Sequence, residues 1–324
     1  MPGPPARRMR SSVGRAPPLQ GGGRRFESGR IHYARRVSIR LGFCSGIIDR
    51  VVAARKYRNA PLVYVIAQVI HPVAPTLTRG EEVALKEALV EWLPLVSNEI
   101  QRQIDVVGFE NNGQPQVNMR SDSIRRFSAR NKRTSVAISD TAMTIETTSY
   151  DTWEVFRELV GQILKARMDI APVDGVERIG LRYIDEIRVP GEGIPDWALW
   201  VNPLLVPPVF ASVGEKLSAQ QQQATIQYET NEQNVGVTLR YGAVVGRSPV
   251  ADSMLARPGT PSNGPFFLID TDAAWAPKPG EEVPPLDPSE VINTANVLHR
   301  FVKKLFEASL TDRLRSEVFH AEEQ

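Results

Sequence analysis

Arg178 and Arg182 stand on either side of Gly180 in the run Val176-Glu177-Arg178-Ile179-Gly180-Leu181-Arg182-Tyr183-Ile184. The run alternates, so as a strand it sets Ile179, Leu181 and Tyr183 on one face and Arg178, Gly180 and Arg182 on the other. Two guanidinium groups separated by a residue with no Cβ make a two-pronged clamp for a phosphate or a carboxylate. Arg178, Arg182 and the adjoining Tyr183 are therefore the candidate anion-binding residues. The same spacing equally suits cross-strand pairing with acidic neighbours such as Glu146 or Glu229, which would occupy both arginines. His299, mid-helix at the edge of an apolar stripe, is a candidate polar site. It is either a half-buried histidine donating to a neighbouring strand or a general base. Asp185 and Glu186 are adjacent, so in a strand they face opposite ways and make a poor acid and base pair.

Other chemistry is missing from the sequence. It contains no G-x-G-x-x-G, P-loop, G-x-S-x-G, H-E-x-x-H or EF-hand loop. His71, His299 and His320 lie far apart with no acidic residue or histidine at metal-ligand spacing. Cys44 is the only cysteine, which excludes an intrachain disulfide, a thiolate zinc site and a Cys-x-x-Cys pair. No catalytic residue, metal or cofactor is assigned, and the reading leans away from an enzyme.

The elements that must position these residues read as α+β, with antiparallel sheets packed against helices. Residues 62–70 are apolar, β-rich and bounded by prolines, as in a buried strand. Val83, Leu85, Leu89, Trp92 and Val96 recur at helical spacing over residues 78–96, with Glu81 and Glu82 in the first turn and Pro94 as a limit. Residues 123–150 read as a meander with turns at Asn131-Lys132 and Ser139-Asp140. Asp151 or Thr152 then caps a helix carrying Trp153, Phe156, Val160, Ile163 and Leu164 on one stripe. Residues 190–217, punctuated by proline and glycine, form a seam, followed by β-rich runs at 223–228 and 235–245 and a polar loop at 246–264. Asp287, Pro288 and Glu290 mark the start of a long final helix. The expected organisation is a leader over residues 1–55, an α+β half over 56–190 and a second half over 191–324. Strands precede a helix in both halves, which fits two similar halves.

Charge separates the leader from the rest. Residues 1–58 hold fourteen Lys and Arg against two acidic residues, whereas the remainder holds 25 basic against 35 acidic. A polyanion partner needs a basic footprint, so nucleic-acid binding is not expected of the body without the leader. Read back into codons, Ser11-Ser12-Val13-Gly14-Arg15-Ala16 matches the D-arm consensus of a bacterial tRNA gene, and Gly23-Arg24-Arg25-Phe26-Glu27-Ser28 matches the T-arm in the same frame. The leader resembles a translated valine tRNA gene, which places the expected true start downstream, with Val51 and Val52 as candidates. His32 and Cys44 then drop out of any functional argument. No apolar run reaches the roughly eighteen residues of a membrane span and no signal peptide opens the chain, so the expected location is the cytoplasm.

Asn59-Ala60-Pro61-Leu62, the stretch from Thr147 to Phe156, Glu177 through Ile184, and Leu298-His299 with residues 306–311 together carry a resemblance. They are similar to an uncharacterised bacterial family described as sporadically distributed, of about 250 residues per chain. The likeness spans residues 57–320 and implies no catalytic residue. A patchy family beside a tRNA gene suggests an accessory or mobile-element locus. The leading expectation is a non-enzymatic cytoplasmic interaction protein of defence or toxin–antitoxin type, with a protein partner and no membrane. The alternative is a binding module or unfamiliar enzyme that takes an anionic small molecule or nucleotide on the Arg178/Arg182 face. The sequence carries no signature of oligomeric state.

Overall fold

A computed structural model describes residues 57–109, 115–206, 221–248, 254–258 and 263–320. The leader, with His32 and Cys44, lies outside the described residues. From Tyr57 onward the chain is tied into the fold. The Tyr57 hydroxyl donates to Glu307 Oε1 and Oε2 at 3.0 and 2.9 Å, and Asn59 N donates to Phe319 O at 3.2 Å.

Among the described residues, nine strands pair antiparallel in one sheet: β1 (Leu62–Ile70), β2 (Leu95–Phe109), β3 (Pro115–Ser128), β4 (Thr134–Ile138), β5 (Ala142–Thr147), β6 (Arg178–Ile187), β7 (Ala224–Glu229), β8 (Val235–Gly246) and β9 (Gly264–Trp275). Their spatial order is β2-β3-β4-β5-β1-β6-β9-β8-β7. The expected architecture of antiparallel strands with helices is present, as one sheet rather than several. Residues 53–324 form one compact unit. Across the seam, β6 and β9 share a ladder from Ile179↔Trp275 to Ile187↔Phe267 at the centre of the sheet.

Four α-helices among the described residues follow local signals. In α1 (Arg79–Ala88), Thr78 and Glu81 form a reciprocal capping box. The helix is shorter than the apolar spacing over 78–96 suggests. Leu85, Leu89 and Leu93 are buried, whereas Val83, Trp92 and Val96 are exposed, and Leu95 already begins β2. With Pro94 unable to continue a helix, the chain turns there into the sheet. Thr152 caps α2 (Trp153–Ile170), and its stripe of Trp153, Phe156, Val160, Ile163 and Leu164 is buried. Asp287 caps α3 (Pro288–Ser309), and Thr311 caps the short α4 (Asp312–Glu317).

Among the described residues, helices and sheet meet on one side only. Val65, Ala67 and Val69 of β1, Ile179, Leu181 and Tyr183 of β6, and Ala273 of β9 point into one core with Leu85, Phe156, Leu298 and Val302. Alternation sends the intervening residues to the opposite, helix-free face. At one end of the sheet the β2–β3 hairpin outruns its neighbours. Among the described residues, β4 pairs with residues 125–128 of β3, and residues 99–109 and 115–124 pair with each other alone. They form a two-stranded arm in which β2 is the outermost strand of the described sheet.

Candidate functional site

The helix-free face carries a chain of ion pairs across the sheet, each link set by register. On β3, Arg126 reaches Glu99 at 2.6 Å, Ser135 Oγ at 2.7 Å and Glu146 at 2.5 Å. Glu146 also accepts from the Tyr64 hydroxyl of β1. Burial pushes the Glu146 carboxyl up to about 7, against the opposing pull of the Arg126 and Tyr64 donors on its charged form.

Further along, Arg178 donates to Gln68 Oε1 at 3.2 Å and to Asp272 Oδ1 at 3.1 Å. Arg182 makes a two-pronged contact with Asp270, at 2.7 and 2.6 Å, and Arg240 approaches the same carboxylate at 3.6 Å. Both arginines are thus on the expected face, but their partners are Asp270 and Asp272 of β9 rather than Glu146 or Glu229. The gap at Gly180 is not an open notch. A Cβ there would overlap the Arg178 guanidinium, which folds across Gly180 toward Asp272. The bidentate donor edge that would grip an external anion is already spent on Asp270.

Tyr183 lies on the other side of the sheet, 7% exposed in the helix-side core, as alternation from Arg182 requires. This separates it from the arginines as an anion-binding set. It joins His299 instead. The imidazole stacks on Trp153 with ring centroids 4.5 Å apart and planes 7° from parallel, and the Tyr183 ring is 6.0 Å away. The Tyr183 hydroxyl donates to Tyr150 at 3.1 Å, and Trp153 Nε1 donates to Asn296 Oδ1 at 2.9 Å. Burial, aided by the Lys303 charge, lowers the His299 pKa to about 4, so the ring is neutral near pH 7. Burial raises the Tyr150 hydroxyl to about 12, leaving this cluster uncharged and aromatic. Asp185 also faces the helix side, and burial, with the Asp270 charge adding, holds its carboxyl well above the usual range. Glu186, on the opposite face, pairs with Arg188 at 2.6 Å and Arg257 at 3.5 Å.

A cleft of about 400 Å³ adjoins the aromatic cluster, lined among others by Trp92, Thr147, Ser149, Tyr150 and Phe156, with Glu91, Asp151 and Glu158 adding negative charge. Among the described residues, no group of three His, Cys, Asp or Glu side chains is arranged to hold a metal ion. No described helix is long and apolar enough to cross a membrane. A scan of the chain against protein-family models finds no match, and a search of curated proteins finds none.

Sequence reasoning reached Arg178, Arg182, Tyr183 and His299 but not the residues that define their surroundings. Asp270 and Asp272 sit in Phe266-Phe267-Leu268-Ile269-Asp270-Thr271-Asp272, where two alternating carboxylates interrupt an apolar strand. That interruption is a signal of a polar partner on one face, because a lone buried carboxylate is costly.

Proposed function

We propose that this chain is a non-enzymatic interaction protein acting in the cytoplasm, a component of an accessory or mobile-element locus of defence or toxin–antitoxin type. The reading includes membership of the sporadically distributed family that its motifs resemble. The observation that supports it is the β2–β3 arm. A lone two-stranded ribbon is marginal in water, and a long free strand edge is a template for another chain, so both call for a partner. The neutralised arginines favour this over a clamp for a free anion, since an incoming anion would have to displace Asp270 and Asp272.

The test is co-purification from the native locus of a C-terminally tagged chain and of a variant in which residues 100–123 are replaced by Asn-Gly. That dipeptide closes a two-residue hairpin between Glu99 and Ile124, which are opposite each other in the register, and keeps the Glu99 partner of Arg126. The unaltered chain is expected to retain the product of a neighbouring gene, and the shortened chain to lose it while keeping its thermal midpoint. Retention by the shortened chain, or no partner with either, would sink the reading.

A further inference from the structure

The helix-free face is apolar at one end. Tyr64 of β1, Ile184 of β6, and Phe266 and Leu268 of β9 cluster there, and all four are buried although no helix covers them. Among the described residues, the one buried member of this cluster from outside the sheet is Leu255, 5% exposed, from the connection between β8 and β9. Hairpin connections are usually two to five residues, whereas this one runs from Gly246 to Gly264.

Three consecutive residues of the connection each make a different kind of contact. Leu255 fills the apolar patch. Ala256 N donates to Lys132 O at 2.8 Å, and Ala256 O accepts from Thr148 Oγ1 at 2.5 Å. Arg257 reaches Glu186 at 3.5 Å. Arg188 lies over the Phe266 ring at 4.9 Å and borders the patch. Main-chain hydrogen bonds for affinity, with an apolar and a charged side chain for specificity, are how a protein surface reads an extended peptide.

We propose that the patch around Tyr64, Ile184, Phe266 and Leu268 is a docking site for an extended segment of a partner protein carrying Leu-x-Arg, and that residues 254–258 occupy it in cis as a displaceable stand-in. A tethered occupant competes at high effective concentration, so a partner segment binds in proportion to the fraction of chains whose own segment is out of the site. The site shares no residue with the β2–β3 arm, and either idea can fail alone.

The experiment is fluorescence anisotropy with a labelled peptide of residues 250–262, titrated with three full-length proteins. These are the unaltered chain, Leu255→Ala, and a chain with residues 250–262 replaced by a Gly/Ser linker of equal length. Both altered chains are expected to bind the peptide about tenfold or more tighter than the unaltered chain, because the cis competitor is weakened or gone. A peptide with alanine at the positions of Leu255 and Arg257 is expected to lose at least about tenfold in affinity. Equal affinity in all three proteins, or for both peptides, overturns the proposal. Hydrogen exchange on the unaltered chain gives a second readout independent of any variant: saturating peptide should speed exchange of the Ala256 amide, and unchanged protection counts against displacement. The shortened-arm chain must bind the peptide as the unaltered chain does, which keeps failure of the arm reading distinct from failure of this one.

Discussion

Acidification should destabilise the protein through His299, by an amount that follows from its surroundings. The imidazole is stacked on Trp153 in a site that lowers its pKa from 6.5 to about 4. A base whose folded pKa is depressed binds its proton more tightly when unfolded. Its neutral-ring contribution is therefore complete above the unfolded value of 6.5 and is lost as pH falls through the folded value. The full shift corresponds to about 3 kcal/mol, of which about 2 kcal/mol is gone by pH 5. Stacking of the imidazolium on the indole helps only folded chains whose ring is protonated, a small minority at pH 5, so the expected loss there stays at about 2 kcal/mol. Urea unfolding of the unaltered chain and of His299→Phe at pH 8, 7, 6 and 5 isolates this contribution, because every other titrating group is common to both. The stability difference between them should shift by that amount in favour of Phe as pH falls. A difference independent of pH would refute the burial argument, as would an NMR titration placing the His299 ring near 6.5.

Glu146 gives the opposite slope. Its folded pKa of about 7 is raised, so the protonated form stabilises the fold below about 4.5 and this contribution is lost as pH rises through 7; Glu146→Gln should flatten that decline in urea titrations. Tyr57→Phe keeps the ring packed on Phe306 and Phe319 but removes the donor to the buried Glu307. A loss of about 1–2 kcal/mol is expected, seen as a thermal midpoint lower by several degrees, and an unchanged midpoint would show that Arg315 alone satisfies the carboxylate. Gly242→Ala would place a Cβ on the carbonyl oxygen of Gln222, a backbone atom that cannot swing aside. The expected cost is about 2–3 kcal/mol, and a neutral result in denaturant would mean that the segment beside β8 moves freely.

Local chemistry wrote most of the elements plainly. Prolines bounding an apolar run fixed β1, Thr152 ahead of a Trp153-Phe156-Val160 stripe fixed α2, and Asp287-Pro288 fixed the start of α3. These signals are short-range, because a cap or a turn is decided by neighbours within one helical turn. Residues 95–109 and 115–128 form the longest strands, yet polar residues are scattered through both. Without a strict period-two apolar pattern, strand and register are weakly specified by the sequence there. Pro94 marked a helix limit, but only the sheet decided that the next residue would already belong to a strand.

The sequence by itself determined which side of its strand each candidate residue takes. Period-two geometry puts Arg178 and Arg182 together and Tyr183 opposite, whatever the fold. What the arginines face was decided by tertiary structure. The register of β6 on β9 brings Arg182 opposite Asp272 and Ile184 opposite Asp270, which sets the two carboxylates beside the two guanidinium groups. The same packing lays His299 of α3 on Trp153 of α2 and seats Leu255 on the helix-free face. The Arg182–Asp270, Arg178–Asp272 and Trp153–His299 pairings join residues roughly 90–150 positions apart in the chain. A pairwise contact at that separation has no local trace, because its energy is shared between two segments and neither one's composition records where the other will lie.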